Sequence, residues 1–304
     1  MDGELVQPID FRAGRGRGLD RTVVLGGGGI FFIAWQTGYL AALRDEGIDC
    51  NLADRVVGTS AGSIVGAYLA AGRLPLMTLA ASVLSRARGV VAAMAPAADF
   101  TPSQERALQL LLQAKDARPT TLQGIGHAAL AAAGPDAAQM RRSIGLLVGR
   151  RWPDARLHVT AVDAYTGERL VVTAAARISA ARALAASTAV PGVFAPQRLG
   201  DRFAMDGGVC GTATHCDLVA GAARCLVLSL EPAATRLVAS TTYQVDAVQQ
   251  EQQALRDSGT QVFFRSPVVE DPAMLMSPEA IEPGLAAGRE QAHKDATAFA
   301  QFWT

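Results

Sequence analysis

From Thr22 to Leu43 the chain carries no charged side chain, and four consecutive glycines, Gly26–Gly29, stand inside that run. A charge-free stretch of this length is a candidate for a helix that crosses a bilayer. The glycines break that continuity, because each costs about 1 kcal/mol relative to alanine in a helix interior. A β-branched segment (Thr22, Val23, Val24) precedes them, and an apolar stretch of helical period follows. The run therefore predicts a buried strand at Thr22–Leu25, a glycine turn, and a buried helix over Ala34–Glu46 that Gly47 stops.

The same order recurs. Arg55–Val57 predicts a short strand, Gly58-Thr59-Ser60 a turn, and Ala61–Ala71 a helix of small residues ending at Gly72. Two strand-turn-helix units in succession indicate an α/β fold with a parallel sheet. Leu76–Arg151 is rich in alanine and leucine and cut by Pro96, Pro102, Pro119 and Gly134-Pro135; it reads as a helical insertion or cap. Strands are expected at Leu157–Val162, Arg169–Thr173, Phe203–Met205, Cys225–Leu230 and Gln261–Phe264. Helices are expected near Ser179–Ser187, Thr242–Ser258 and Gly284–Phe302. Cys225–Leu230 is apolar throughout, as in a strand buried at the middle of a parallel sheet. The division expected is a flexible lead-in over 1–20 and a single α/β domain over 21–304, with the insertion at about 76–151 and C-terminal helices at about 240–304.

Composition removes several functions. In 304 residues, 28 Lys+Arg balance 28 Asp+Glu, so the positive footprint that duplex nucleic acid demands is missing. Aromatic residues make up 6%, which leaves few platforms for stacking bases. Cys50, Cys210, Cys216 and Cys225 form neither a disulfide framework nor a zinc spacing, and read as reduced thiols of a cytoplasmic protein. The first twenty residues have no apolar core of a signal peptide, which agrees with that expectation.

Three motifs carry chemistry. Gly58-Thr59-Ser60-Ala61-Gly62 is a G-x-S-x-G pentapeptide between a strand and a helix. There a serine is held exposed on a sharp turn, and the helix aims its N–H groups at developing negative charge. By itself it is also compatible with a glycine turn and a capping serine. Gly26–Gly29 can offer backbone N–H groups to one anion, either a phosphate or the oxyanion of a tetrahedral intermediate. A P-loop would need Gly-Lys-Ser/Thr, and a dinucleotide fingerprint a glycine where Phe31 stands. Beside a serine elbow, an oxyanion hole is the better reading. Asp206-Gly207-Gly208 follows a strand; alone it is a turn former, but next to the elbow it supplies a candidate base.

The histidines are His127, His158, His215 and His293. A triad in the order Ser, acid, His would formally admit His215 or His293. The elbow comes after only two strands, too early for an α/β-hydrolase. His293 falls in a periodic helix, and His215 among polar turn residues. The serine is expected to work without histidine.

Gly26–Gly29, Gly58–Gly62 and Asp206–Gly208, in this order, resemble the patatin-like phospholipase family. The likeness extends over Val23–Ile48, Val56–Gly72, Leu157–Gly167 and Ala185–Val209, covering most of Arg21–Leu230. It implies a three-layer α/β/α sandwich around a mostly parallel sheet. It also implies a Ser60–Asp206 dyad, with Gly27, Gly28 and Gly29 as oxyanion hole and Gly26, Gly58, Gly62, Gly207 and Gly208 as supporting motif positions. The activity implied is hydrolysis of a lipid or other acyl ester through an acyl-enzyme, needing neither metal nor organic cofactor, with transient contact to a membrane surface. Many members carry a basic residue and a glycine just after the glycine run; here Phe31 and Phe32 take their place. Those rings would narrow the site, wall an acyl chain, or weaken the hole. Two alternatives follow: a lipid-binding protein that has lost turnover, and an esterase for short soluble esters. Arg86 with Arg88, and Arg141 with Arg142, are candidate contacts for phosphate head groups or simply solvated faces.

Overall fold

The computed structural model describes residues 5–77, 99–132, 136–212, 214–230, 246–269 and 271–304. Its strands are β1 (Arg21–Leu25), β2 (Arg55–Gly58), β3 (Leu157–Asp163), β4 (Arg169–Val172), β5 (Gln197–Leu199), β6 (Arg202–Asp206), β7 (Arg224–Leu228) and β8 (Gln261–Arg265). The helices, numbered among the described residues, are α1 (Gly29–Asp45), α2 (Ala61–Ala70), α3 (Pro102–Gln113), α4 (Pro119–Ala131), α5 (Ala137–Val148), α6 (Ala180–Ser187), α7 (Ala247–Asp257) and α8 (Ile281–Trp303).

All eight strands join one sheet through the successive pairings β5-β6, β6-β3, β3-β2, β2-β1, β1-β7 and β7-β8, with β4 also paired to β3. The run β3-β2-β1-β7-β8 is parallel, and β4, β5 and β6 add an antiparallel end. β7 lies between β1 and β8, as its unbroken apolar sequence predicts. The charge-free run at Thr22–Leu43 resolves into β1, a glycine turn and α1. Among the described residues no helix is long and apolar enough to cross a membrane.

Alternation along the strands builds two cores. Val23, Leu25, Val56, Leu157, Val159, Leu226 and Leu228 face one side, where α1, α2, α5, α6 and α8 contribute Trp35, Leu69, Ile144, Leu184 and Phe299. Val24, Val57, Val171, Cys225 and Val227 face the other, against Leu255 of α7 and the 3-10 turn at Cys216–Val219. A third cluster packs α3 and α4, through Leu111, Leu122 and Ile125, onto Val162, Met205 and Val209. Helices thus cover both faces of the sheet.

The lead-in expected to be flexible is, from Leu5 on, bonded to the sheet. Leu5 is buried, Val6 bridges Leu170, and the Gln7 N–H donates to the Arg169 carbonyl at 3.1 Å. Arg169 returns bonds from its guanidinium to the carbonyls of Gln7 (2.7 Å) and Pro8 (2.9 Å). The partners come from more than 160 positions away, so local composition cannot reveal them.

Candidate active site

The pairing register brings the motifs together. Gly58, the last residue of β2, lies opposite Val159, and Val159 faces Val172 of β4 on its other side. Asp206, the last residue of β6, lies opposite Ala161, and Ala161 also faces Leu170 of β4. β2 and β6 therefore share the same edge of β3 and run toward each other. The turns after Gly58 and after Asp206 meet where those strands end.

Ser60 follows β2 with φ 51° and ψ −121°, a left-handed conformation that costs a side-chain-bearing residue about 1–3 kcal/mol. The glycines around it make that turn possible. A Cβ on Gly62 would stand 2.1 Å from the Leu25 carbonyl oxygen, and one on Gly58 2.6 Å from the Gly62 carbonyl oxygen. Hydrogen bonds hold the turn: the Ser60 N–H donates to Ser187 Oγ at 2.9 Å, and Ser63 Oγ donates to the Ser60 carbonyl at 2.7 Å. Beneath it the buried hydroxyls of Thr59 and Thr160 are 2.8 Å apart.

The glycine loop runs alongside. The Gly26 N–H donates to Leu228, continuing the ladder. The Gly26 carbonyl accepts from Gly62 N–H at 3.2 Å and from Gln36 Nε2 at 3.1 Å, which ties loop, elbow and α1 together. A Cβ on Gly27 would lie 3.1 Å from Ser60 Cβ and 3.7 Å from its Oγ. Gly28 and Gly29 have φ of 156° and 72°, and Gly29 opens α1. No hydrogen bond among the described residues uses the N–H of Gly27 or Gly28. These donors lie beside the serine at the positive end of a 17-residue helix, an arrangement suited to an oxyanion.

Asp206 is buried, and its N–H donates to the Ala189 carbonyl at 2.9 Å. Its Oδ1 accepts from Gly208 N–H at 2.9 Å, while Oδ2 is buried with no hydrogen-bond partner. Burial raises its pKa to about 6, against opposing contributions from the Ser60 hydroxyl and Gly208 N–H. The Ser60 hydroxyl is thus near enough to lower that value, while no hydrogen bond joins it to Oδ2. Gly207 lets the turn close, since a Cβ there would meet the Thr160 carbonyl oxygen at 2.5 Å.

Residues 23–214, more than half the chain, match the family model for patatin-like phospholipases. The chain belongs to the patatin-like phospholipase family. Among solved structures it is similar to VipD from Legionella pneumophila, at 15% identity over 92% of this chain and 67% of that one, with a TM-score of 0.42. It is also similar to the type III effector protein ExoU, at 18% identity over 90% of this chain and 53% of that one, with a TM-score of 0.33. The chain spans about half the length of ExoU. No curated protein sequence matches it.

Phe31 and Phe32, which replace the basic residue and glycine of many family members, are both buried in the main core. Phe32 stacks on Trp35 at 5.6 Å between centroids. The substitution extends the packing of α1. Phe32 also reaches the loop: with Leu230 Cδ1 it stands against Gly28, while Met276 Sδ stands against Gly29.

His293 is exposed and bonds Glu46, His158 is half-buried with its pKa lowered to about 4 by desolvation, and His127 sits by Tyr165. His215 is fully buried, not exposed among turn residues, and reaches the Gly207 carbonyl. Arg141 bonds Gln197 and Arg142 pairs with Asp136; Arg86 and Arg88 fall outside the described residues. Sequence reasoning missed Gln36 and Ser187, which bond the glycine loop and the elbow, and admitted His215 only formally as a triad member. Gln36 carried one signal, a long polar side chain in a charge-free apolar helix.

Proposed function

We propose that the chain is a lipid acyl hydrolase in which Ser60 is the nucleophile and Asp206 the general base. The observation that carries this reading is the meeting of the Ser60 elbow with Asp206, whose buried Oδ2 has no other hydrogen-bond partner. Ser60 Oγ attacks the ester carbonyl as its proton passes to the Asp206 carboxylate. The negative charge moves to the carbonyl oxygen, where the N–H groups of Gly27 and Gly28, with Gly29 behind them, receive it. Losing one such donor costs about 3–4 kcal/mol of transition-state stabilisation. The tetrahedral species collapses, the C–O bond breaks, and the leaving alcohol takes the proton from Asp206. Water then gives one proton to Asp206 and attacks the acyl-enzyme; as the acyl–Oγ bond breaks, that proton passes to Ser60 Oγ, releasing the fatty acid and restoring both residues. The apolar Met276 side chain, half-buried beside Gly29, favours an acyl chain over a polar one.

Hydrolysis of a p-nitrophenyl ester series by the wild type, Ser60→Ala and Asp206→Asn tests this. The expected result is activity that rises with acyl length and is lost in both variants. Best activity on acetate would redirect the substrate to short soluble esters. A folded wild type inert toward every ester would overturn hydrolysis and leave lipid binding.

A further inference from the structure

Asp206 is fixed through the turn that follows it, and that turn is bonded from behind. The Gly207 carbonyl accepts from His215 Nε2 at 3.1 Å. On the other side of the ring, His215 Nδ1 lies 3.4 Å from Arg169 Nη1. A carbonyl can only accept and a guanidinium can only donate, so the ring is neutral with its hydrogen on Nε2. Burial and the Arg169 charge hold His215 well below its ordinary pKa, which keeps that tautomer.

Arg169 is fixed in turn by two bonds to the buried Asp217 carboxylate, 2.5 and 2.8 Å, and by the Gln7 and Pro8 carbonyls. Asp217 Oδ2 also accepts from Asp10 N–H at 3.1 Å. His215 holds φ at 55° and ψ at 41°, the left-handed region that histidine and asparagine enter more readily than most side-chain-bearing residues. A cavity of about 390 Å³, lined by Cys210, Gly211 and Thr212 with Ile9, Phe11 and Glu251, borders the turn.

We infer that His215 is a positioning residue for Asp206, holding the Gly207 carbonyl through Nε2 so that the carboxyl faces Ser60, with Arg169 and the strap Leu5–Asp10 setting the ring. The inference rests on the dyad reading above, and it makes His215 a support of the base rather than a third catalytic member.

Glutamine places its Nε2 the same number of bonds from Cβ as histidine does, whereas asparagine accepts the left-handed backbone but falls short of the carbonyl. His215→Gln is expected to keep most of the wild-type kcat. His215→Asn and His215→Ala should lose roughly tenfold to a hundredfold in kcat, with KM within about twofold, as a displaced catalytic group does. Equal kcat in folded His215→Gln and His215→Asn would overturn the inference, even if His215→Ala fails to fold. A readout independent of turnover is the Asp206 carboxyl titration, followed by carbon-13 NMR. In His215→Asn it is expected to move from about 6 toward the ordinary carboxylate value as the turn loosens and water reaches it. An unchanged titration would also overturn the inference. Wild type without esterase activity but with this titration shift would reject the hydrolase reading and keep the positioning role.

Discussion

Gly58 and Asp206 end two strands that run toward each other along one edge of β3, opposite Val159 and Ala161 respectively. Only Thr160 of β3 stands between those partners, so the turns that follow must occupy the same small volume. Ser60 enters it from the β2 side and Asp206 from the β6 side. The sheet itself creates the meeting, and the glycines at 58, 62 and 207 allow the backbones to come close enough.

The first prediction concerns activity and pH. Asp206 accepts the Ser60 proton only when ionised, and burial sets its pKa at about 6. kcat/KM is expected to fall on an acid limb with a midpoint near that value, tenfold per pH unit below it. A pH–rate profile on one ester checks this, and a profile flat to about pH 4.5 would reject Asp206 as the base.

The same burial costs stability. The folded state binds the Asp206 proton more tightly than the unfolded chain does. Its contribution to stability is therefore fully present below the ordinary value of 3.8 and is lost as pH rises through about 6. That rise corresponds to about 3 kcal/mol. Asp206→Asn is expected to melt several degrees above wild type at pH 8 and level with it at pH 4. Thermal unfolding at the two pH values measures the difference, and an equal offset at both would contradict the burial account.

Three glycines should separate stability from activity. Gly62→Ala drives a Cβ against the Leu25 backbone and is expected to cost about 1–3 kcal/mol together with activity. Gly66→Ala meets only the side-chain ends of Val56 and Leu157 at 3.2 and 3.3 Å, and should be near neutral, since alanine favours the helix. Gly27→Ala places its methyl beside Ser60 Oγ and should keep its Tm while kcat/KM drops roughly tenfold or more. Melting curves and ester hydrolysis on the three variants test the order.

Arg169→Ala leaves the buried Asp217 carboxyl without the two guanidinium N–H groups that hold it. The expected loss is about 3–5 kcal/mol, as for other buried pairs cut on one side. Denaturant unfolding measures it, and susceptibility to proteolysis near Leu5–Asp10 should rise as the carbonyls of Gln7 and Pro8 lose their partner.

The first strand, the glycine turn and the serine elbow were legible because what they need is local: β-branched residues, then small residues where backbones must touch. The start of α1 at Gly29 rather than Ala34 was not, since glycine is a poor helix former and the close packing of Gly29 against Leu275 and Met276 is distant in sequence. β5 is three residues long and exists by pairing with β6, which no periodicity records. Asp206 was legible as a motif residue, but its place on the same edge of β3 as Gly58 is a matter of register. His215 looked like a turn residue because its partners, Arg169 and Gly207, come from another strand and another turn. Phe31 and Phe32 read as changes to the site, whereas a helix that starts at Gly29 turns them into the core.

The most direct test of the dyad is covalent trapping. The wild type and Asp206→Asn are treated with a long-chain alkyl fluorophosphonate, and the adduct is located and timed by mass spectrometry of the digested chain. The account predicts one adduct, on the peptide containing Ser60, formed at least about a hundredfold more slowly in Asp206→Asn at pH 8. Modification at another serine, or equal rates in the two proteins, would contradict it.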